Sequence, residues 1–279
     1  GVQSTRGTQR GIRYQGSADP EAGREEEPPI PDTRYPTPPL RVALFTGCIM
    51  DTVFRDVNLL TRRVLEACGH TVVAVPDQGC CGALHAHAGA RNDARAMALR
   101  NIAAFDAVDA DVIVVNSAGC GALLREYAHL VDDPRAARVA AKVRDVTELL
   151  AESTFPPMRK LDLDIVYDPP CHLQHAQRVH DAPLAVLNAI PGVRVRMLPG
   201  ADRCCGAAGL YAVLHPELSH QILRDKIATI RSAVPRPAAL VTGNPGCLMQ
   251  FRAGLRAEGI EMAVVHPVEV VGAALGLVG

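Results

Sequence analysis

Cys80-Cys81-Gly82 recurs as Cys204-Cys205-Gly206, and each copy sits inside the same larger frame. One cysteine precedes the pair by about thirty residues (Cys48, Cys171), and one follows it by about forty (Cys120, Cys247). A random chain with 9 Cys and 23 Gly in 279 residues would hold about 0.02 such triplets. Equivalent cysteines are offset by 123 residues (Cys48 to Cys171), by 124 (both positions of the pair) and by 127 (Cys120 to Cys247). So constant a shift describes an internal duplication, with a period too long for a solenoid. The repeated element is a constellation of four thiols.

The residues around the cysteines set the fold class. Arg41–Cys48 (RVALFTGC) and Leu163–Cys171 (LDIVYDPPC) each read as a short buried strand running into a cysteine. Thr71–Val75, Asp111–Asn116, Val193–Leu198, Ala239–Thr242 and Ile260–Val265 read as further strands. Helical spacing covers Thr52–Cys68, stopping at Gly69, and then Ala83–Ala107, Pro134–Leu150, Asp181–Ile190, His215–Ser232 and Val268–Leu275. Strands alternating with helices predict an α/β fold of two pseudo-symmetric Rossmann-like halves with parallel sheets. The first half is expected over 40–155 and the second over 156–279. Residues 1–39 carry six prolines between Pro28 and Pro39 and almost no aliphatic residues, and read as a disordered Pro-rich linker. The chain starts at Gly1 rather than Met, as expected of a fragment or processed piece.

Composition narrows the function. With 48% hydrophobic and 21% charged residues the chain is of the soluble globular kind, and no run is apolar enough for a transmembrane segment. A net charge of −1 offers no electrostatic case for nucleic acid. The odd cysteine count, the adjacent pairs and the lack of a signal peptide argue for reduced thiols in the cytoplasm rather than disulfides. Neither a Gly-rich phosphate loop nor a nucleophile–base arrangement occurs, so flavin or nicotinamide binding by this chain is not expected.

In a parallel sheet, residues just beyond the carboxyl ends of the strands converge. That rule gathers Cys48, Cys80, Cys81 and Cys120 at one site and Cys171, Cys204, Cys205 and Cys247 at another. Four thiolates suit either a 4Fe–4S cluster or a tetrahedral zinc. The paired C-x2-C knuckles of most zinc sites are missing, which favours iron–sulfur, with zinc the alternative in one half. Cys68 lies outside both frames and reads as an ordinary buried cysteine. His85, His87, His172 and His175 flank the thiols and read as capping or supporting residues. Arg203 divides between potential tuning and plain surface, and Tyr211 and His215 read as helix packing.

The two frames resemble the cysteine-rich CCG domain shared by heterodisulfide reductase, the lactate-utilisation iron–sulfur protein, anaerobic glycerol-3-phosphate dehydrogenase and the glycolate oxidase iron–sulfur subunit. Ser117–Gly121 (SAGCG), Cys171–Gln177 (CHLQHAQ), Cys204–Pro216 (CCGAAGLYAVLHP) and Gly243–Gln250 (GNPGCLMQ) carry the resemblance, which is greatest to the glycolate oxidase type. It implies an electron-transfer subunit of a 2-hydroxy acid oxidase or dehydrogenase, relaying electrons from FAD-containing glycolate oxidase subunits towards a quinone or other acceptor. Lactate or glycerol-3-phosphate is the alternative substrate, and a zinc-holding assembly scaffold the alternative class. The implied location is cytoplasmic, or peripheral on the inner face of the membrane. The ferredoxin-like motifs that normally lie N-terminal to this region are missing from this chain. In the fuller motif the last cysteine belongs to a C-x-x-C, whose first position is here Ser117 or Asn244.

Overall fold

The computed structural model describes residues 38–278. The linker reading of 1–39 therefore lies outside the described residues, apart from Pro38 and Pro39. Eight strands form two four-stranded sheets. The first contains β1 (Arg41–Phe45), β2 (Thr71–Val73), β3 (Val112–Val115) and β4 (Val143–Asp145) in the order β2-β1-β3-β4. The second contains β5 (Leu163–Tyr167), β6 (Val193–Met197), β7 (Ala239–Val241) and β8 (Ala263–Val265) in the order β6-β5-β7-β8. Every pairing is parallel, and the two orders are the same. The predicted α/β duplication is the architecture observed.

Strand alternation decides what each sheet buries. Val42 and Leu44 of β1, Val112 and Val114 of β3, Ile165 and Tyr167 of β5, and Ala239 and Val241 of β7 all enter one shared core. Their neighbours point the other way: Ala43, Phe45, Ile113 and Val115 enter a layer made by the first half. Val166 and Leu240 enter the corresponding layer of the second half. Both sheet faces are thus covered by apolar residues, as parallel sheets require. The shared core is completed by helices from both halves, Arg55–Ala67, Val146–Glu152, Asp181–Asn188 and Pro267–Ala274. The exchange is reciprocal, since Val146–Glu152 packs on Asp181–Asn188 and Pro267–Ala274 packs on Arg55–Ala67.

Two local expectations need correction, and one element was not foreseen. The helix expected over 83–107 is two helices, Ala83–His87 and Arg91–Asp106. Gly89 breaks it at φ +79°, with its N–H on the Ala86 carbonyl and the Ala90 N–H on the His85 carbonyl. That pair of bonds closes a helix end around a left-handed residue. The span 134–150 is not one helix, because β4 interrupts it between Ala136–Ala141 and Val146–Glu152. Asp145 then caps the second piece by accepting the Thr147 N–H, with Glu148 reaching back to the Asp145 N–H. Finally, His172–Ala176 winds as a π-helix straight after Cys171.

Candidate metal centres

In each sheet the chain runs from the first strand to an edge, then crosses to the opposite side. The reversal lies between β1 and β3, and between β5 and β7. Crevices at such points collect ligands beyond the strand ends. Cys48 follows β1 by three residues and Cys171 follows β5 by four. Cys120 and Cys247 each occupy the third position of the helix beyond the neighbouring strand, Ala118–Arg125 and Pro245–Ala257. The first turn of a helix presents unpaired N–H groups that favour a thiolate.

The CCG pair is brought in by a tight turn. Gly82 and Gly206 both adopt left-handed backbone, φ +90° and +91°. A Cβ at Gly82 would stand 3.2 Å from the Ala94 carbonyl oxygen, and one at Gly206 would stand 2.6 Å from the Ser219 carbonyl oxygen. Glycine is required here twice over, for conformation and for space.

These elements bring both predicted sets of four sulfurs together. In the first half Cys48 Sγ lies 3.6 Å from Cys80 Sγ, Cys80 contacts Cys81, and Cys81 contacts Cys120. In the second half Cys171 contacts Cys204, Cys204 contacts Cys205, and Cys205 Sγ lies 3.1 Å from Cys247 Sγ. All nine cysteines are free. Cys68 stands apart, half-buried against the shared core, and burial pushes its thiol up to about 11. Among the described residues no three His, Cys, Asp or Glu side chains form a ready-made site for a single ion. The thiols instead form two chains of pairwise contacts.

The thiol chemistry also repeats. Cys80 is drawn down to about 2, first by donation from the Cys48 thiol and then by Cys81. Cys204 is drawn down to about 2 by Cys171 and Cys205. Their donors move the other way, Cys48 upward chiefly through Cys80 and Cys171 upward chiefly through Cys204. Backbone N–H groups point at sulfurs of the CCG pairs: Gly82 N–H to Cys80 at 3.5 Å, Ala83 N–H to Cys81 at 3.5 Å, and Gly206 N–H to Cys204 at 3.3 Å. Such donors stabilise concentrated thiolate charge.

Ser117 and Asn244, which take a cysteine's place in the fuller motif, have a function that sequence reasoning missed. Cys81 chiefly, and the Ser117 hydroxyl after it, hold the Cys120 thiol below its ordinary value by donating to it. Asn244 Nδ2 lies 3.6 Å from Cys247 Sγ, and its Oδ1 accepts the Gly119 N–H from the other half at 3.1 Å. The repeated signal was the polar residue three before the last cysteine. Of the histidines, His172 Nδ1 lies 3.6 Å from Cys171 Sγ, and its ring stacks on His87 across the two halves, centroids 5.7 Å apart. His85 stands near enough to Cys80 to help lower it. His175 instead meets the Asp202 carbonyl. Tyr211 and His215 pack on each other, centroids 4.5 Å apart. Arg203 folds over Gly200.

Cys48, Cys80, Cys81 and Cys120 line a cavity of about 310 Å³, walled by Ala207, Val213, Asn244 and Met249 of the second half among others. Four convergent thiols, N–H donors aimed at sulfur and adjoining space fit a multi-thiolate metal group. The CCG cysteine-rich domain matches residues 42–125 and again 165–252. The chain belongs to the CCG cysteine-rich domain family. The probable glycolate oxidase iron-sulfur subunit of Bacillus subtilis (strain 168) is 40% identical over 237 residues, 81% of this chain and 53% of that protein. The glycolate oxidase iron-sulfur subunit of Escherichia coli (strain K12) is 33% identical over 272 residues, 92% of this chain and 64% of that protein. The chain thus spans between half and two thirds of these two relatives. Lactate utilization protein A of Oceanobacillus iheyensis is 30% identical, with 83% of this chain and 96% of that protein covered. A hypothetical protein from Helicobacter pylori shares the fold, with TM-score 0.56 and 12% identity over 86% of this chain and 50% of that one. No helix among the described residues is long and apolar enough to cross a membrane.

Proposed function

We propose that this chain holds two iron–sulfur centres, one in each half, and relays electrons within a complex that oxidises a 2-hydroxy acid. Cys48, Cys80, Cys81 and Cys120 would hold the first centre, and Cys171, Cys204, Cys205 and Cys247 the second. The carrying observation is the paired convergence of four thiols on one pseudo-symmetric fold. The glycolate and lactate relatives support a 2-hydroxy acid, with glycolate preferred at 40% identity.

An iron–sulfur group, when bound, accepts and returns single electrons at a potential set by charge, hydrogen bonding and exposure. The chain's own residues supply the rest. Gly82, Ala83 and Gly206 direct N–H groups at sulfur. Ser117 and Asn244 add side-chain donors. The substrate-oxidising flavin is assigned to a partner FAD-containing subunit, and a ferredoxin-like segment, as in the resembling family, would complete the path to a quinone or other acceptor. A cytoplasmic location, or peripheral attachment to the inner membrane face, fits reduced thiols.

Anaerobic purification with iron, sulfide and zinc analysis tests the reading. Iron and sulfide in equal amounts, with broad absorption near ~400 nm from thiolate-to-iron charge transfer, are expected. Zinc without sulfide would replace this reading with the assembly scaffold.

A further inference from the structure

The two halves differ at one place where their symmetry demands a match. Helices Arg91–Asp106 and Pro216–Arg231 are both 16 residues long, and each passes its fourth residue, Ala94 or Ser219, beside the CCG glycine. Ten residues past its start the first carries Asn101 and the second Lys226. Asn101 is buried, neutral and fully engaged. Its Oδ1 accepts the Gly79 N–H at 2.8 Å, and its Nδ2 donates to the Cys80 carbonyl at 2.9 Å and to the Tyr127 hydroxyl at 3.0 Å. Tyr127 in turn donates to the Cys81 carbonyl at 2.9 Å. The first-half thiol loop therefore rests on an uncharged network.

Lys226 stands in the same position with a charge. Its side chain is 2% exposed and donates to Asp168, whose side chain is also 2% exposed. Asp168 directly follows β5 and lies three residues before Cys171, whereas the residue directly after β1 is the neutral Thr46. Burying two charges carries a desolvation cost that a neutral pair avoids. The first half of this same chain shows that the fold accepts the neutral solution. A packing role alone therefore does not account for the pair.

Charge beside a redox centre changes its potential, and strongly so in an interior of low dielectric constant. The field is felt at Asp168. Burial pushes its carboxyl up to about 6, Lys226 pulls it down, and the negative charge of Cys204 pushes it up again. The carboxylate leaves the end of β5 three residues before Cys171, so its charge lies on the loop that carries a thiol of the second site.

Resting on the iron–sulfur reading above, we propose that the Lys226–Asp168 pair sets the reduction potential of the second-half centre apart from that of the first, with Asp168 as the pole facing the thiols. Asp168 then disfavours added negative charge at the second centre, which makes that centre the stronger reductant of the two. Both residues are positioning residues that touch no reacting atom. The electron path through the chain acquires a direction from this buried charge pair.

The test is a redox titration, followed by electron paramagnetic resonance, of the full chain loaded anaerobically with ferrous iron and sulfide. Asp168→Asn removes the charge and keeps the shape. It should raise one midpoint potential and leave the other in place. Repeating the titration in a Cys81→Ser background, without the first-half centre, should retain the shifted signal. Should Asp168→Asn fail to fold, Asp168→Asn with Lys226→Leu removes both buried charges together and should raise the same midpoint by a smaller amount. Unmoved midpoints, equal movement of both, or a downward shift would overturn the inference while leaving the loaded centres intact. A chain that takes up no iron and sulfide overturns the iron–sulfur reading itself, and this inference with it.

Discussion

Acidification should loosen the joint between the two halves through His266. This residue is 1% exposed, caps the helix Pro267–Ala274, and bridges the halves. Its Nε2–H donates to the Asn116 carbonyl at 3.0 Å, and its Nδ1 accepts the Val268 N–H at 3.2 Å. Only the neutral ring can do both, because a second proton on Nδ1 would face the Val268 N–H. Burial lowers its pKa from 6.5 to about 4, against the opposing pull of the Asn116 carbonyl. The unfolded chain therefore takes up a proton near pH 6.5 that the folded chain refuses until about pH 4. The stability from this site is fully present above pH 6.5 and is lost as pH falls towards 4. A drop from 6.5 to about 4 corresponds to about 3 kcal/mol. Asp145 and Asp168, both pushed up to about 6 by burial, act in the opposite sense, so the assay is a difference. Urea unfolding of the wild type and His266→Gln should be compared from pH 7 to pH 4. At pH 7 the variant should be less stable by roughly 1–3 kcal/mol for its lost cap and bridge. That gap should shrink by about 3 kcal/mol at pH 4, even reversing sign. A gap that stays constant across this range refutes a buried neutral His266.

Three further outcomes test the site. Cys205→Ser should cost about half of the bound iron and sulfide, since a hard oxygen is a poorer ligand than thiolate, whereas Cys68→Ser should cost none; equal losses by elemental analysis would mean the ligands are misassigned. Gly206→Ala places a Cβ 2.6 Å from the Ser219 carbonyl oxygen at φ +91°, and thermal unfolding should show a loss above ~2 kcal/mol, larger than for Gly82→Ala with its 3.2 Å contacts. Asn244→Ala removes both the donor to Cys247 and the acceptor for the Gly119 N–H, so iron should pass to a chelator several-fold faster, at a stability cost of about 1–2 kcal/mol.

Much of this molecule was legible in its sequence because the repeat is carried by local signals. A short apolar strand running into a cysteine, a CCG turn and a fourth cysteine preceded by Gly recur at a nearly constant offset. Each piece forms through its own backbone preferences. The halves, the parallel sheets and the two sets of four thiols follow from those pieces and the rule for strand ends. Gly69 closed its helix as expected, at φ +90°. The interruptions were harder to see. The three-residue strand β4 lies inside a run with helical spacing, and a single parallel neighbour, β3, holds it. Helix Ala83–His87 ends at one glycine in an alanine-rich stretch that favours continuing.

Other features needed the tertiary structure, because they join residues with no relation along the chain. The shared core between the sheets depends on helices exchanged across the halves. Asn244 and Ser117 are marked in sequence only as missing cysteines, and they become sulfur donors once Cys247 and Cys120 are placed beside them. Nothing in the sequence singles out Lys226 within its helix. It becomes a buried charge only because that helix packs its face against the end of β5, where Asp168 waits 58 residues upstream. Local periodicity specifies which side of a helix is covered, but the partner across the core, and hence the charge beside the thiols, is set only when the sheet closes over it.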